Sequence, residues 1–143
     1  SRTVGMGAHL MAVVAEAKKG RLYISPDEDQ IKAADVEKPE DYPTGELANY
    51  PGHLNTKIYG LDEFDKLFTN RQLTALTTFS DLVAEAQEKV REDAIAAGMP
   101  DDGAGLVQDG TGATAYGQAV GVYLAFLVDQ MTNQMSSICG FND

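Results

Sequence analysis

From Leu73 to Ala94 the apolar residues fall at steps of three and four: Leu73, Leu76, Phe79, Leu82, Val83, Ala86, Val90 and Ala94. This period places them on one stripe of a helix of about 28 residues, roughly 42 Å long at 1.5 Å per residue. Asp81, Glu85, Glu88, Lys89, Arg91 and Glu92 take the opposite, solvated face. The ends carry their own signals. Thr69 and Gln72 have the spacing of a capping box, with Phe68 and Leu73 as its hydrophobic staple. Gly98 can adopt the left-handed conformation, and Pro100 forbids continuation. A striped helix of this kind requires a partner from elsewhere in the chain.

The other segments are shorter or differently patterned. His9 to Glu16 and Arg21 to Ser25 are apolar runs containing β-branched and aromatic residues, separated by Ala17-Lys18-Lys19-Gly20. They predict a β-hairpin, although the alanines of the first run also suit a helix. Ser25-Pro26-Asp27-Glu28 opens a short helix, with Ser25 as cap and Glu28 completing the box, ending near Val36 before Pro39. Lys38 to Lys57 has no period and is punctuated by prolines and glycines, which predicts a long acidic loop, either functional or a surface wrap. Leu61, Phe64, Leu67 and Phe68 mark a second short helix. After a Gly-rich loop, Asp101 to Gly112, a last helix is expected from Ala113 to Ile138. Its middle is apolar all round, which predicts burial on most sides. Gly117, Gly121 and Ala125 fall four apart, leaving room for the central helix to approach. The expected fold is α+β and mainly helical, an N-terminal hairpin packed with two long and two short helices in one domain spanning residues 1–143.

Charge narrows the partners. The chain has 143 residues, 43% hydrophobic and 23% charged, with a formal net charge of −11. Phosphate binding largely means neutralising charge, so nonspecific attraction to nucleic acid or anionic membrane is disfavoured. Lys18, Lys19 and Arg21 form the one basic cluster. Solvated lysines are ordinary at a turn, and the same three cations are where a phosphate contact could be built. The single cysteine, Cys139, excludes an internal disulfide, and no segment reads as a signal peptide, so a cytoplasmic protein is expected.

Candidate chemistry is sparse. His9, His53 and Cys139 have no metal-ligand spacing, and no nucleophile stands beside a base. Gly110-Thr111-Gly112-Ala113-Thr114-Ala115 matches the G-x-G-x-x-G/A nucleotide fingerprint on paper. The preceding Leu106-Val107-Gln108 is a poor strand, however, and no βαβ unit surrounds it; glycines in a loop feeding a helix explain it more cheaply. The carboxylates read as solvated faces and loops. No catalytic, cofactor-binding or metal-ligating residue is expected in this chain.

Leu67 to Val83, LFTNRQLTALTTFSDLV, resembles the "LFT-x-RQL-x-AL-x-TFSDLV" segment of large prokaryotic proteins identified as adenine-specific DNA methylases containing a zinc ribbon. Met6 to Glu16, Asp109 to Tyr116, Ala119 to Ala125 and Ser136 to Cys139 are similar to further pieces of that family, in the same order. Asn70 stands where the family usually has proline, and Gly140-Phe141-Asn142-Asp143 replaces a tryptophan-containing stretch. As the family is laid out, the AdoMet-binding motif and zinc ribbon lie upstream and a DPPY-type catalytic motif downstream. None of these motifs occurs here. The resemblance therefore implies an excised middle portion of a methyltransferase, with AdoMet and zinc belonging to the parent protein and DNA reached through it. Adenine methylation requires the base to leave the stack, so base recognition and catalysis can be divided between modules. Two roles stay open: a recognition or accessory module touching DNA through the Lys18 to Arg21 turn, or a structural module packed on the catalytic core or another protein.

Overall fold

The computed structural model describes residues 9–48 and 56–136. The fold is α+β and mainly helical: a two-stranded antiparallel hairpin followed by helices. The chain divides into two compact units, residues 1–74 and 75–143.

In the first unit, β1 (Val13–Ala17) pairs with β2 (Gly20–Ile24) in a register running from Val13 opposite Ile24 to Ala17 opposite Gly20. The tight turn leaves only Lys18 and Lys19 between the strands, so pairing reaches further toward the tip than the expected Ala17–Gly20 connection. His9 to Ala12 stay outside the strand. The next helix, α1 (Glu28–Ala34), begins later than expected. Its cap is Asp27, whose carboxylate accepts from the Gln30 N–H at 2.8 Å while the Asp27 N–H donates to Gln30 Oε1 at 3.0 Å. Two overlapping capping boxes are written in this sequence. The one with a charged acceptor at the positive end of the helix dipole prevails over Ser25.

The described part of the loop after α1 is held at several points. Glu46 bridges Glu63; the Leu47 N–H donates to the Asp62 carbonyl at 2.8 Å and the Phe64 N–H to the Gly45 carbonyl at 3.0 Å. Lys38 reaches Asp65 at 2.6 Å, with its ammonium 3.7 Å from the Tyr42 ring centre. The expected loop ends early, because Thr56–Tyr59 form a 3-10 turn. The expected helix over Leu61 to Phe68 shrinks to a 3-10 turn at Asp65–Leu67. Backbone groups at residues 62 and 64 pair with residues 47 and 45, which holds this stretch in the bridge, and the helical turn is confined to the residues that follow Phe64.

The long helix α2 (Asn70–Ala96) starts at the end of the first unit and runs on into the second. The Gln72 N–H donates to Thr69 Oγ1 at 3.3 Å and the Thr69 N–H to Gln72 Oε1 at 2.8 Å, which forms the expected box. At the other end Gly98 has φ +91, its N–H donates to the Ile95 carbonyl, and the Met99 N–H donates to the Ala94 carbonyl, both at 2.9 Å. This pair of bonds is a Schellman motif, and the left-handed residue it needs is glycine. Leu73, Leu76 and Ala94 on the stripe are buried, Val83, Ala86 and Val90 half-buried, but Phe79 and Leu82 are exposed.

The last helix, α3 (Ala113–Met135), buries Ala113, Ala115, Gly117 and Gly121. Gly117 lies against α2: a Cβ there would stand 2.8 Å from the Gln87 carbonyl oxygen and 3.3 Å from Arg91 Cβ. Ala125, expected on the same close face, is exposed. The close approach to α2 thus involves Gly117 and Gly121 and leaves Ala125 uncovered. The helix ends at Met135, with Ser136 extended as its C-cap, short of the expected end at Ile138.

Candidate functional site

The Gly-rich loop before α3 is built as a cap. Gly112 offers no side chain at the N-cap position, so the acceptor comes from elsewhere in the chain. Asp101 Oδ1 accepts the Thr114 N–H at 3.0 Å, and Oδ2 accepts the Thr114 hydroxyl at 2.9 Å. The Ala113 N–H donates to the Pro100 carbonyl at 3.0 Å. Arg91 stands beside the same carboxylate, with Nη1 3.6 Å from Asp101 Oδ2, while its Nε donates to Glu88 at 2.9 Å. The Thr114 amide and hydroxyl, with Arg91 nearby, hold the Asp101 carboxyl below its ordinary value, and Arg91 does the same for Glu88.

The two glycines of the fingerprint serve this packing. A Cβ on Gly110 would overlap the Ala104 carbonyl, and one on Gly112 would lie 2.9 Å from Asp101 Cα and the Asp102 nitrogen. The backbone needs glycine because loop backbone passes against it, and the anion at the helix start is the chain's own Asp101. Sequence spacing gave no sign of Asp101 in this role, since it lies thirteen residues from Thr114. Arg91, expected on the solvated face, is half-buried beside Gly117; the space that glycine leaves was the available signal.

Lys18, Lys19 and Arg21 come together at the hairpin turn, all exposed. Glu16 stands opposite Arg21 across the strands, so one of the three cations has a carboxylate as its neighbour. Arg21 and Gly20 also line an open depression with Val14, Ala15, Glu16 and Ala17. Of the three soft ligands, His9 is exposed, whereas His53 and Cys139 lie outside the described residues. Among the described residues no group of three or more His, Cys, Asp or Glu side chains could hold a metal ion.

The most distinctive surface belongs to α3. Burial on most sides was expected, yet Tyr123 is 72% exposed, Phe126 63% and Leu127 61%, with Tyr116 and Val122 about half exposed beside them. At 100° per residue these five fall on one face, opposite Gly117, Gly121 and Leu124. No Asp, Glu, Lys or Arg occurs between Ala113 and Val128. An all-apolar helix can be buried on one side only by the neighbours it has, and α2 meets the glycine side. With roughly 150–250 Å² per aromatic ring, the three rings alone present on the order of 300–450 Å². A continuous patch of that size commonly marks an interaction surface. Among the described residues no helix is long and apolar enough to cross a membrane.

Compared with protein-family models, curated proteins and solved structures, the chain matches none.

Proposed function

We propose that this chain is a non-catalytic portion of an AdoMet-dependent adenine-specific DNA methyltransferase and serves there as an accessory packing module. The family reading is supported by the resemblance of Leu67 to Val83 and of the shorter segments that accompany it in order. The packing role is supported chiefly by one observation, the charge-free face of α3 formed by Tyr116, Val122, Tyr123, Phe126 and Leu127. An apolar surface of this kind is suited to another protein surface and not to nucleic acid, whose contacts are made by cations and polar groups. The net charge of −11 points the same way, leaving DNA to be held elsewhere in the parent, together with AdoMet and zinc. A purely protein-binding role, with no connection to DNA, draws on the same face and the same acidity.

The test uses the complete open reading frame. With labelled AdoMet and adenine-containing duplex, the full protein should form N6-methyladenine, and the isolated chain should form none. Changing Tyr123 and Phe126 together to serine should lower the activity of the full protein while leaving the isolated chain folded by circular dichroism. An inactive full-length protein would overturn the methyltransferase reading. Unchanged activity in the double variant would overturn the packing role alone.

A further inference from the structure

The hairpin presents a second unpartnered surface, and its occupant can be argued from register and charge. All five residues of β2 are exposed, and among the described residues the sheet contains only β1 and β2. Among the described residues nothing pairs with the outer edge of β2. Natural edges are usually blunted by proline, a bulge or several charges; β2 carries Arg21 alone before Pro26. Two strands are also a marginal sheet, and three or more with an apolar face are normally needed. That face exists: Val13, Ala15, Ala17, Gly20, Leu22 and Ile24 lie on one side, with Leu22 52% exposed. Val14, Glu16, Arg21 and Tyr23 lie on the other.

We propose that β2 pairs antiparallel with β2 of a second copy of this chain, about a twofold axis at Leu22, to form a four-stranded sheet. Only registers that place like-parity residues opposite each other join the two apolar faces into one, because successive side chains alternate. Of these, an axis at Arg21 sets Arg21 against Arg21 of the second copy, a like-charge pair. An axis at Tyr23 leaves Gly20 and Arg21 beyond the partner strand. The axis at Leu22 pairs the whole strand: Gly20 with Ile24, Arg21 with Tyr23, and Leu22 with its own counterpart. Arg21 then lies beside an aromatic ring, a favourable cation–π neighbour.

The same register explains the basic turn. Continued beyond the strand, it places Lys19 alongside Ser25 of the second copy, just before the acidic first turn of α1 with Asp27, Glu28 and Asp29. Each hairpin tip, carrying Lys18 and Lys19, meets the acidic start of the other copy's α1. Two chains of net charge −11 thus approach through the one place where opposite signs face each other. This pairing is independent of the methyltransferase reading.

Sedimentation equilibrium and light scattering of the full chain across a concentration series will test it. A monomer–dimer equilibrium is expected, weakened at least tenfold by Arg21→Glu, which removes the ring contact and adds negative charge to the contact between two acidic chains. Register is read separately by cysteine cross-linking in a Cys139→Ser background. Directly opposed residues have Cβ atoms about 4.5–5.5 Å apart, so Leu22→Cys should form a reducible intermolecular disulfide under mild oxidation. Ala15→Cys, on the same face but on the inner strand, should not. A chain that stays monomeric at hundreds of micromolar overturns the proposal. So does a dimer that cross-links through Tyr123→Cys on α3 but not through Leu22→Cys.

Discussion

Gly117 and Gly121 are both buried on α3 and both face α2, yet they should respond oppositely to the same substitution. A methyl group at Gly117 would stand 2.8 Å from the Gln87 carbonyl oxygen and 3.3 Å from Arg91 Cβ. The first of these is backbone inside a regular helix and cannot swing away, so the helices must separate. At Gly121 the nearest atom, also at 2.8 Å, is Gln87 Oε1, the far end of a flexible side chain; the next lies at 3.4 Å, an ordinary contact. Both replacements gain helix propensity, about 0.8–1.0 kcal/mol for glycine to alanine. Overpacking against fixed structure costs about 1–3 kcal/mol. Gly117→Ala should therefore be neutral to about 2 kcal/mol destabilising, and Gly121→Ala neutral to about 1 kcal/mol stabilising.

The difference between the two variants, about 1–3 kcal/mol, cancels much of the unfolded-state contribution they share. Urea melts followed by circular dichroism can read it. With a slope of about 1–3 kcal/mol per molar, the two midpoints should differ by several tenths of a molar or more. Protein concentration must be held constant, since self-association raises apparent stability. Gly121→Leu, whose longer side chain reaches past the movable end of Gln87 toward Gln87 Cβ, should fall below wild type. A Gly117→Ala variant as stable as Gly121→Ala would mean that the close helix approach does not exist.

Three further outcomes follow from the cap and the charge. The Asp101 carboxyl is held below its ordinary value of 3.8 by the Thr114 hydrogen bonds, then Gly103 and Arg91, so its contribution is complete above that value and is lost as pH falls through the lower folded value. Asp101→Asn should accordingly lower the urea midpoint at pH 7, and its deficit against wild type should shrink as pH drops below about 4; a deficit independent of pH would refute the charged cap. Gly112→Ala should destabilise by about 1–3 kcal/mol through backbone overlap, and thermal melts should show no stabilisation by AdoMet in either form; a saturable AdoMet shift in wild type would return the loop to ligand binding. Duplex DNA at physiological salt should bind the isolated chain more weakly than about 10⁻⁴ M, as read by anisotropy; tight binding that survives alanine at Lys18, Lys19 and Arg21 would refute the argument from acidity.

Elements with local signals were the legible ones. The ends of α2 lie within a residue or two of expectation because capping box and Schellman glycine are both written within a few positions of each end. The hairpin followed from two apolar runs around a Lys-Lys-Gly turn. Where two local signals overlapped, as at Ser25 and Asp27, pattern alone could not rank them; the charge of the acceptor did. Contacts between distant positions left no trace in periodicity. Lys38 and Asp65 are 27 residues apart, and neither is unusual where it stands. The fate of Leu61 to Phe68 depended on backbone bonds to Gly45 and Leu47, which no property of that segment encodes.

The reading of α3 and that of the glycine loop share a limit. A run that is apolar all round states only that water is unfavourable on every side of α3; it does not state that this chain supplies the cover. The glycines before α3 likewise state that backbone is closely approached, but not by what. In both cases the sequence encodes a demand and leaves its partner unspecified. At the helix start the partner is internal: Asp101 occupies the place where a nucleotide phosphate would otherwise be expected. On the face of Tyr123 and Phe126 the described residues leave both rings more than half exposed. A phosphate entering the first site would have to displace a carboxylate bonded to both the amide and hydroxyl of Thr114 and ion-paired with Arg91, whereas a protein surface meeting the second displaces only water. Association through the apolar face would therefore meet less competition from the chain's own groups than a phosphate at the glycine loop would.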